Sequence, residues 1–241
     1  MLGRYGILIG SALLMVMASF AYGIGVGRFG WPPATWLRSA HDRILGPVPT
    51  DQIPHVAARI SIFQNTLGQA DLVMLGDSLT EGGNWQDILP DIKVMNRGIT
   101  GDRSSGVLAR LPEVISRRPR QVFLMIGVND LSRGGTPEET AETIERIIHA
   151  LQEAQISPLL QSVVFVGDGH PDINASIRRL NDMLRETARR ASVPFIDLNP
   201  VLAPLGRLAP EFTYDGVHFR GAAYIHWRDA IRPFIATGHR E

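Results

Sequence analysis

The chain has 241 residues, of which 44% are hydrophobic and 20% are charged, and these values fit one globular domain with some chain left over. Basic and acidic residues number 24 each, which argues against a nucleic-acid partner held by net charge. The absence of cysteine excludes disulfide bridges, a thiolate nucleophile and cysteine-based metal sites. No H-E-x-x-H zinc motif occurs either, and we expect neither a metal nor another cofactor.

The first 30 residues differ from the rest of the chain. Residues 5–27 carry no charge and are flanked by Arg4 and Arg28. A helix of this length measures about 35 Å, which is enough to cross a hydrocarbon core of about 30 Å. We therefore predict a signal-anchor or transmembrane helix within residues 1–30. A signal peptide cleaved near residues 19–21 is the alternative.

The uncharged segment predicts association with a membrane. A retained anchor with an exported domain gives a membrane-anchored protein in the periplasm or outside the cell, whereas cleavage gives a secreted protein. The orientation stays open because Arg4 and Arg28 lie on opposite sides of the segment. Residues 31–53 contain Trp-Pro-Pro and Gly-Pro-Val-Pro and predict a linker. The oligomeric state is not specified by any of these features.

From Pro54 onward, short apolar runs alternate with amphipathic stretches. Apolar residues at helical spacing predict a first helix from Pro54, ended by Gly68. The predicted strands are residues 72–75, 92–95, 121–126, 159–166 and 193–198, and the predicted helices between them are 105–117, 136–155 and 173–190. Continuous apolar strands separated by helices indicate a parallel sheet covered on both faces. We predict an α/β fold, a three-layer α/β/α sandwich with a five-stranded parallel sheet.

The predicted helix at residues 173–190 is rich in arginine, which at first suggests a nucleic-acid surface. Its apolar residues, however, recur at the spacing of one helix face. Arg178 and Asp182, and also Glu186 and Arg190, stand four residues apart and predict ion pairs. We therefore expect a solvated face rather than a nucleic-acid site.

Polar residues follow the predicted strands at the points where these end. Gly76-Asp77-Ser78 comes directly after the first strand, residues 96–102 follow the second, and residues 127–130 follow the third. Residues 215–218 come after the last strand. Because the carboxyl ends of parallel strands meet at one edge of a sheet, these four loops are expected to converge.

Three of these residues fit nucleophilic catalysis. A serine hydroxyl needs a base to take its proton, and histidine has a suitable pKa, so Ser78 and His218 form a candidate pair. The base needs a carboxylate on its other ring nitrogen, and Asp215 lies three residues before His218. The alternative is a helix cap for Ser78 and exposed loop residues for the other two.

Acyl transfer also needs donors directed at the developing oxyanion. The candidates are the Ser78 amide, the Gly101 amide and the Asn129 side chain. Taken singly, Gly101 could serve only as a turn residue and Asn129 only as a helix cap. Their occurrence together with Ser78, Asp215 and His218, in this order, favours an acyl-transfer site.

The four blocks resemble those of the SGNH hydrolases, also called the GDSL lipase/esterase family. Gly76-Asp77-Ser78-Leu79 is similar to the first block, Gly101 to the second, residues 127–130 to the third and residues 215–218 to the last. The resemblance implies a flavodoxin-like fold with strand order 2-1-3-4-5 in a domain at residues 54–238. It also implies the triad Ser78, His218 and Asp215, with Ser78, Gly101 and Asn129 as the oxyanion hole.

Further residues resemble the branch with platelet-activating-factor acetylhydrolase-like, lysophospholipase/thioesterase-like and carbohydrate acetylesterase proteins. The implied function is hydrolysis of a small-molecule acyl ester, acetyl or fatty acyl, through an acyl-enzyme. A catalytically silent, membrane-anchored ligand-binding domain is the alternative. Acyl length and leaving group stay open, although residues near Trp85 and at 167–171 are expected to shape the acyl pocket. Arg103 stands where relatives often carry a small hydroxyl residue, and it either meets an anionic substrate group or points to solvent.

Overall fold

A computed structural model describes residues 17–19, 22, 54–66, 68–168 and 171–236 of the chain. The chain divides into one unit of residues 1–49 and a second of residues 50–241, and the sheet belongs to the second. The anchor predicted within residues 1–30 and the linker predicted at 31–53 lie almost wholly outside the described residues. Within the described ranges, no helix combines the length and the apolar character needed to cross a membrane.

Five parallel strands form a single sheet in the order β2-β1-β3-β4-β5. They are β1 (Leu72–Gly76), β2 (Val94–Gly98), β3 (Gln121–Met125), β4 (Ser157–Gln161) and β5 (Phe195–Ile196). Strand number, parallel pairing and strand order confirm the predicted α/β fold and its flavodoxin-like topology. Nearly every residue of β1, β3 and β4 is buried, as expected for a parallel sheet covered on both faces.

The fourth and fifth strands are shorter than predicted. After β4, the apolar residues up to Val166 stay buried, but their backbone groups bond to side chains instead of a neighbouring strand. The Val163 amide donates to Asn181 Oδ1 at 2.8 Å, and the Phe165 amide donates to Asn199 Oδ1 at 2.9 Å. An apolar run alone cannot distinguish these two ways of satisfying buried backbone groups.

Helices connect the strands and cover the sheet. They are α1 (Pro54–Asn65), α2 (Ser78–Glu81), α3 (Trp85–Ile88), α4 (Ser104–Ala109), α5 (Leu111–Ser116), α6 (Val128–Ser132), α7 (Pro137–Glu153), α8 (Pro171–Ala191), α9 (Asn199–Leu202) and α10 (Gly221–Ile231), with short 3₁₀ turns at Pro210–Phe212 and Arg232–Phe234. The single helix predicted at residues 105–117 is instead the pair α4 and α5, separated at Arg110. Pro112 accounts for the break because it lacks the N–H that a continuous helix needs.

Helix α8 confirms the predicted apolar face but not the predicted ion pairs. Ile177, Leu180 and Leu184 are fully buried. The arginines pair elsewhere, three residues apart or across to α7: Arg185 with Asp182, Arg189 with Glu186, and Arg190 with Glu145. Arg178 lies over the ring of Phe165, 5.0 Å from its centroid. Neighbouring elements thus determine partners that spacing along one helix cannot.

Candidate active site

The candidate residues lie at the carboxyl edge of the sheet, where the strand order reverses. Since β1 is paired with both β2 and β3, the loop after β1 sits at the switch point typical of ligand sites in open α/β sheets. Gly76 ends this strand, and a Cβ there would lie 2.2 Å from the Met125 carbonyl oxygen. Only glycine therefore permits so close an approach of β1 and β3 just before Ser78.

Ser78 begins the short helix α2. The preceding Asp77 is its N-cap, because Asp77 Oδ1 accepts a hydrogen bond of 3.0 Å from the Leu79 amide. The interpretation of Ser78 as the helix cap is therefore wrong. With the cap supplied by its neighbour, the Ser78 hydroxyl is available to other partners.

The structure brings Ser78, His218 and Asp215 together. Ser78 Oγ lies 3.1 Å from His218 Nε2, and His218 Nδ1 lies 2.6 Å from Asp215 Oδ2. The first two residues are 140 positions apart in the chain, so only the tertiary fold makes this contact. In this order and at these distances, the imidazole can accept the proton of the hydroxyl, while the carboxylate orients the imidazole and stabilises its cation.

The loop that carries Asp215 and His218 is held by its own hydrogen bonds. Asp215 Oδ1 accepts from the amides of Val217 and His218 at 2.9 and 2.7 Å, and Thr213 Oγ1 donates to the His218 carbonyl at 2.7 Å. Partial burial raises the pKa of Asp215, but the hydrogen bonds from His218 and Val217 outweigh it and leave that pKa below its ordinary value. The carboxylate therefore stays ionised beside the imidazole.

Two residues predicted as oxyanion donors lie in the segments that follow β2 and β3. Gly101 has a φ of +77°, a conformation that favours glycine, in the loop after β2. Asn129 lies inside α6, whose N-cap is Gly127, so the interpretation of Asn129 as a helix cap is wrong. The Nδ2 atom of Asn129 is buried and has no hydrogen-bond partner among the described residues. A buried, unpaired amide donor fits a group that binds an oxygen of a ligand.

A buried ion pair lies behind the Gly101 loop, and sequence reasoning did not find it. Arg110 Nε donates to Asp102 Oδ2 at 2.9 Å, and Arg110 Nη2 donates to the carbonyls of Gly76 and Arg97 at 3.1 and 2.9 Å. One guanidinium thus joins the end of β1, the end of β2 and the residue after Gly101. Arg110 showed no motif signal in the sequence because its partners come from three separate segments.

A second buried carboxylate connects the Gly101 loop to α6. Asp130 accepts hydrogen bonds from the amide of Ser104, at 3.0 and 3.1 Å to its two oxygens, and from Ser104 Oγ at 2.6 Å. Burial raises the pKa of Asp130, and these bonds oppose the rise. Since Ser104 follows Gly101 closely and Asp130 follows Asn129, this contact sets the distance between the two predicted donors.

Asp77 is the third buried carboxylate of this layer. Burial raises its pKa to about 7, the hydrogen bond from Leu79 lowers it, the nearby carboxylates of Asp102 and Asp130 raise it further and His218 lowers it. The Asp77 carboxyl therefore titrates near neutral pH, directly beside Ser78.

Helix α1 packs against the loop that leads to Gly101, which the sequence did not indicate. Val56 and Phe63 of α1 form a small buried cluster with Ile99, and Arg59 Nη2 donates to the Gly98 carbonyl at 3.2 Å. The contact packs α1, which precedes β1 in the chain, onto the end of β2. The helix contributes to the position of a predicted donor without carrying a reactive group itself.

The segments expected to shape an acyl pocket are only partly described by the structure. Trp85 is only 1% exposed, donates from Nε1 to the Thr80 carbonyl at 2.8 Å and packs edge-to-face on Trp227 at 4.7 Å. Its side chain therefore belongs to the core, and the expectation that the segment around Trp85 shapes an acyl pocket stays a prediction. Residues 169 and 170 of the other predicted segment lie outside the described residues. Tyr214, which the sequence did not single out, stacks on His218 at 5.8 Å and is 64% exposed.

Comparison with known proteins places these features in a family context. Residues 74–224 match the model of the GDSL-like lipase/acylhydrolase family. Thioesterase 1/protease 1/lysophospholipase L1 of Escherichia coli is 31% identical over 178 residues, covering 68% of this chain and 79% of that protein.

Other similar proteins differ in extent. N-acylneuraminate cytidylyltransferase of Streptococcus agalactiae is 28% identical over 151 residues, which cover 63% of this chain but only 35% of that protein. The chain therefore spans about a third of the length of that relative. The crystal structure of a GDSL-like lipase from Bacteroides thetaiotaomicron superposes with a TM-score of 0.66 at 24% identity, covering 74% of this chain and 96% of that one. This last similarity supports the fold.

Proposed function

Because this chain belongs to the GDSL-like lipase/acylhydrolase family, we propose that it is a serine esterase that hydrolyses acyl esters. The observation that carries the proposal is the position of His218, which contacts Ser78 Oγ through Nε2 and Asp215 through Nδ1. Each contact supplies one requirement of acyl transfer, a base for the nucleophile and an orienting partner for the base. Small-molecule acyl esters are the proposed substrates.

In the proposed first half-reaction, Ser78 Oγ attacks the acyl carbon while His218 Nε2 accepts the hydroxyl proton. Asp215 accepts the hydrogen bond from Nδ1–H and stabilises the imidazolium that forms. The amides of Ser78 and Gly101 and the side chain of Asn129 donate to the developing oxyanion. The ester C–O bond then breaks, and His218 passes its proton to the departing alcohol.

In the second half-reaction, a water molecule attacks the acyl group on Ser78. His218 accepts a proton from the water and then returns it to Ser78 Oγ as the acyl-enzyme bond breaks. The products are the free acid and the regenerated enzyme. The unpaired Asn129 amide supports this route, because it supplies the donor that both tetrahedral intermediates need.

A serine-directed phosphonate tests the nucleophile. We expect one label per chain, located at Ser78 by mass spectrometry, and loss of p-nitrophenyl ester hydrolysis by several orders of magnitude in Ser78→Ala. Ser61→Ala, which alters an exposed serine of α1, is the matched control and should keep both labelling and turnover. Labelling at another residue, or an active Ser78→Ala variant, contradicts the assignment. Esters of increasing acyl length then distinguish an acetylesterase from a fatty acyl esterase.

We also propose that residues 5–27 anchor the protein to a membrane and that the folded domain is exported. The support is the run of uncharged residues between Arg4 and Arg28. Full-length protein should remain in the membrane pellet after a carbonate wash. Recovery of a shorter chain in the soluble fraction would favour a cleaved signal peptide instead.

A further inference from the structure

The short helix α2 carries a polar residue at each of its two ends. Ser78 begins the helix and Glu81 ends it. The side chain of Glu81 is largely buried, and its Oε2 accepts a hydrogen bond from the Thr100 amide. Thr100 stands directly before Gly101 in the chain. One carboxylate therefore connects the helix of the proposed nucleophile to the loop of a proposed oxyanion donor.

The segment that makes this bond is a tight turn. The Asp102 amide donates to the Ile99 carbonyl at 3.0 Å, which leaves Thr100 and Gly101 at the two central positions. The positive φ of Gly101, +77°, fits the third residue of a type II turn. Since the hydrogen bond closes the turn, a contact at Thr100 also limits the movement of the neighbouring Gly101.

Helix α1 holds the Glu81 carboxylate from the other side. Arg59 Nε lies 3.1 Å from Glu81 Oε1, and Arg59 Nη2 donates to the Gly98 carbonyl at the end of β2. The first contact is one of charges, because Arg59 Nε forms no hydrogen bond within the described part of the chain. His55 Nε2 lies 3.4 Å from Glu81 Oε2. This support comes from outside the segment that matches the family model, which begins at residue 74.

The Glu81 side chain makes these contacts as a charged carboxylate. Burial raises the pKa of Glu81, but the hydrogen bonds from Thr100 and the charges of Arg59 and His55 outweigh the rise and leave that pKa below its ordinary value. An ionised acceptor makes a stronger hydrogen bond to an amide than a neutral one does. The backbone is close-packed here as well, since a Cβ at Gly98 would lie 2.1 Å from the Glu81 amide nitrogen.

We propose that Glu81 is a positioning residue for ester hydrolysis, which holds the Gly101 turn at a fixed distance from Ser78, and that Arg59 acts through Glu81. The inference rests on the proposed esterase function and adds to it. An amide stabilises the oxyanion only when its nitrogen lies about 3 Å from the oxygen that becomes charged. That oxygen is on the carbon bonded to Ser78, whereas the amide belongs to Gly101, so the link between their segments determines this distance.

Two substitutions of Glu81 separate its hydrogen bond from its charge. With the p-nitrophenyl ester that the wild type hydrolyses fastest, Glu81→Ala should lower kcat about tenfold or more and change KM less than about twofold, because a displaced donor weakens binding of the transition state. Glu81→Gln keeps an oxygen that can accept from the Thr100 amide and should recover most of this loss. Glu145→Ala breaks a partly buried pair with Arg190 and, as the matched control, should keep wild-type values.

A transition-state analogue gives a readout that a merely structural role would not change. An alkylboronic acid of the same chain length forms a tetrahedral adduct with Ser78, and one of its oxygens takes the place of the oxyanion. Its inhibition constant should rise in Glu81→Ala by about the factor by which kcat falls. Melting temperatures of all variants show that each is folded at the assay temperature.

A double-mutant cycle tests the part assigned to Arg59. Arg59→Met should lower kcat by a smaller factor than Glu81→Ala does, because the hydrogen bond to Thr100 is kept. In the Glu81→Ala background, Arg59→Met should have no further effect on kcat, since its action passes through Glu81. Full additivity of the two losses would contradict this route.

The outcomes distinguish this inference from the function on which it rests. If hydrolysis depends on Ser78 but Glu81→Ala keeps the wild-type kcat, the positioning role is refuted and the esterase assignment stands. The same holds if Glu81→Gln loses as much as Glu81→Ala, or if kcat falls while the boronic acid binds as before. If no ester is hydrolysed in a Ser78-dependent way, the proposed function itself fails, and the positioning role with it.

Discussion

The carboxyl edge of the sheet holds two carboxylate contacts of similar length, Asp215 with His218 and Asp102 with Arg110, in opposite environments. At the surface, the side chains of His218 and Asp215 are 36% and 41% exposed. Below them, those of Arg110 and Asp102 are 5% and 1% exposed. The His218–Asp215 pair near the surface can exchange protons with water and with the alcohol that leaves a bound ester. The lower pair cannot, and it joins backbone segments instead.

This contrast indicates how the edge divides its tasks. Groups that must change protonation stay near solvent and are held by a short loop with few outside contacts. Groups that only position the loops are buried, where a charge is costly to leave unpaired. We therefore expect substitutions in the upper layer to change turnover and substitutions in the lower layer to change stability.

The largest effect is expected in the exposed pair. His218→Ala should lower kcat about 10⁶-fold, and Asp215→Asn about 10⁴-fold, because the amide orients the wrong tautomer of His218 and cannot stabilise its cation. The free energy of unfolding should change by less than about 1 kcal/mol for these exposed groups. Steady-state kinetics and urea unfolding on the same preparations give both values. Near-wild-type turnover in both variants would require another base.

The buried pair should show the reverse pattern. Arg110→Met leaves the Asp102 carboxylate buried without its cation and should lower the free energy of unfolding by about 3–5 kcal/mol. Arg228→Met, which removes a partly exposed arginine paired with the exposed Asp229, should cost less than about 1 kcal/mol and serves as the control. Equal costs of the two substitutions in urea unfolding would remove the distinction between the layers.

Asn129 tests the boundary between the layers, since its amide is buried yet is predicted to act on substrate. Asn129→Ala should lower kcat by about 10²–10³-fold with little change in KM, because an oxyanion donor acts mainly in the transition state. Its melting temperature should stay close to that of the wild type. A destabilised variant with normal kcat would assign Asn129 to the structure alone.

Replacement of Asp77 is expected to act in the opposite direction, because it should raise the free energy of unfolding. Its pKa is about 7 in the native state against 3.8 for an ordinary aspartate, so between these values the unfolded chain releases the proton first. Native stability therefore falls as pH rises from about 4 to about 7, and the cost stays above that range. Asn at this position keeps the acceptor for the Leu79 amide without the charge.

We accordingly expect Asp77→Asn to match the wild type near pH 4 and to exceed it in stability at pH 8 by on the order of 4 kcal/mol, the equivalent of a pKa difference of about three units. Urea unfolding of both proteins at the two pH values measures the difference. Asp91→Asn, at an exposed carboxylate, is the control and should show no comparable gain at pH 8. A stability difference that does not grow between pH 4 and pH 8 would contradict a raised pKa of Asp77.

Much of the fold could be predicted because a parallel sheet produces a simple, local sequence pattern. Its strands are buried on both faces and appear as short apolar runs, and polar loop residues follow them at the edge where ligands bind. Ser78, Gly101, Asn129, Asp215 and His218 were found in this way, and the structure brings them to one edge; their catalytic roles stay predictions.

What could not be predicted depends on partners distant in the sequence. After β4, the side chains of Asn181 and Asn199 accept the backbone hydrogen bonds that a neighbouring strand would otherwise accept. Trp85 packs against Trp227 in the core. Arg190 of α8 pairs with Glu145 of α7, whereas Arg185 and Arg189 pair with carboxylates of their own helix three residues away. No local pattern records such contacts, because each partner alone is compatible with several environments.

The sequence by itself determined the class of fold, the order of the four polar blocks and the residue types of the candidate chemistry, since periodicity and loop position are local properties. Only the tertiary structure decided that Arg110 joins three segments and that Asp130 spaces the two predicted donors. These features depend on which residues are buried and on contacts between segments that are far apart in the sequence. Such burial and contacts exist only in the folded domain.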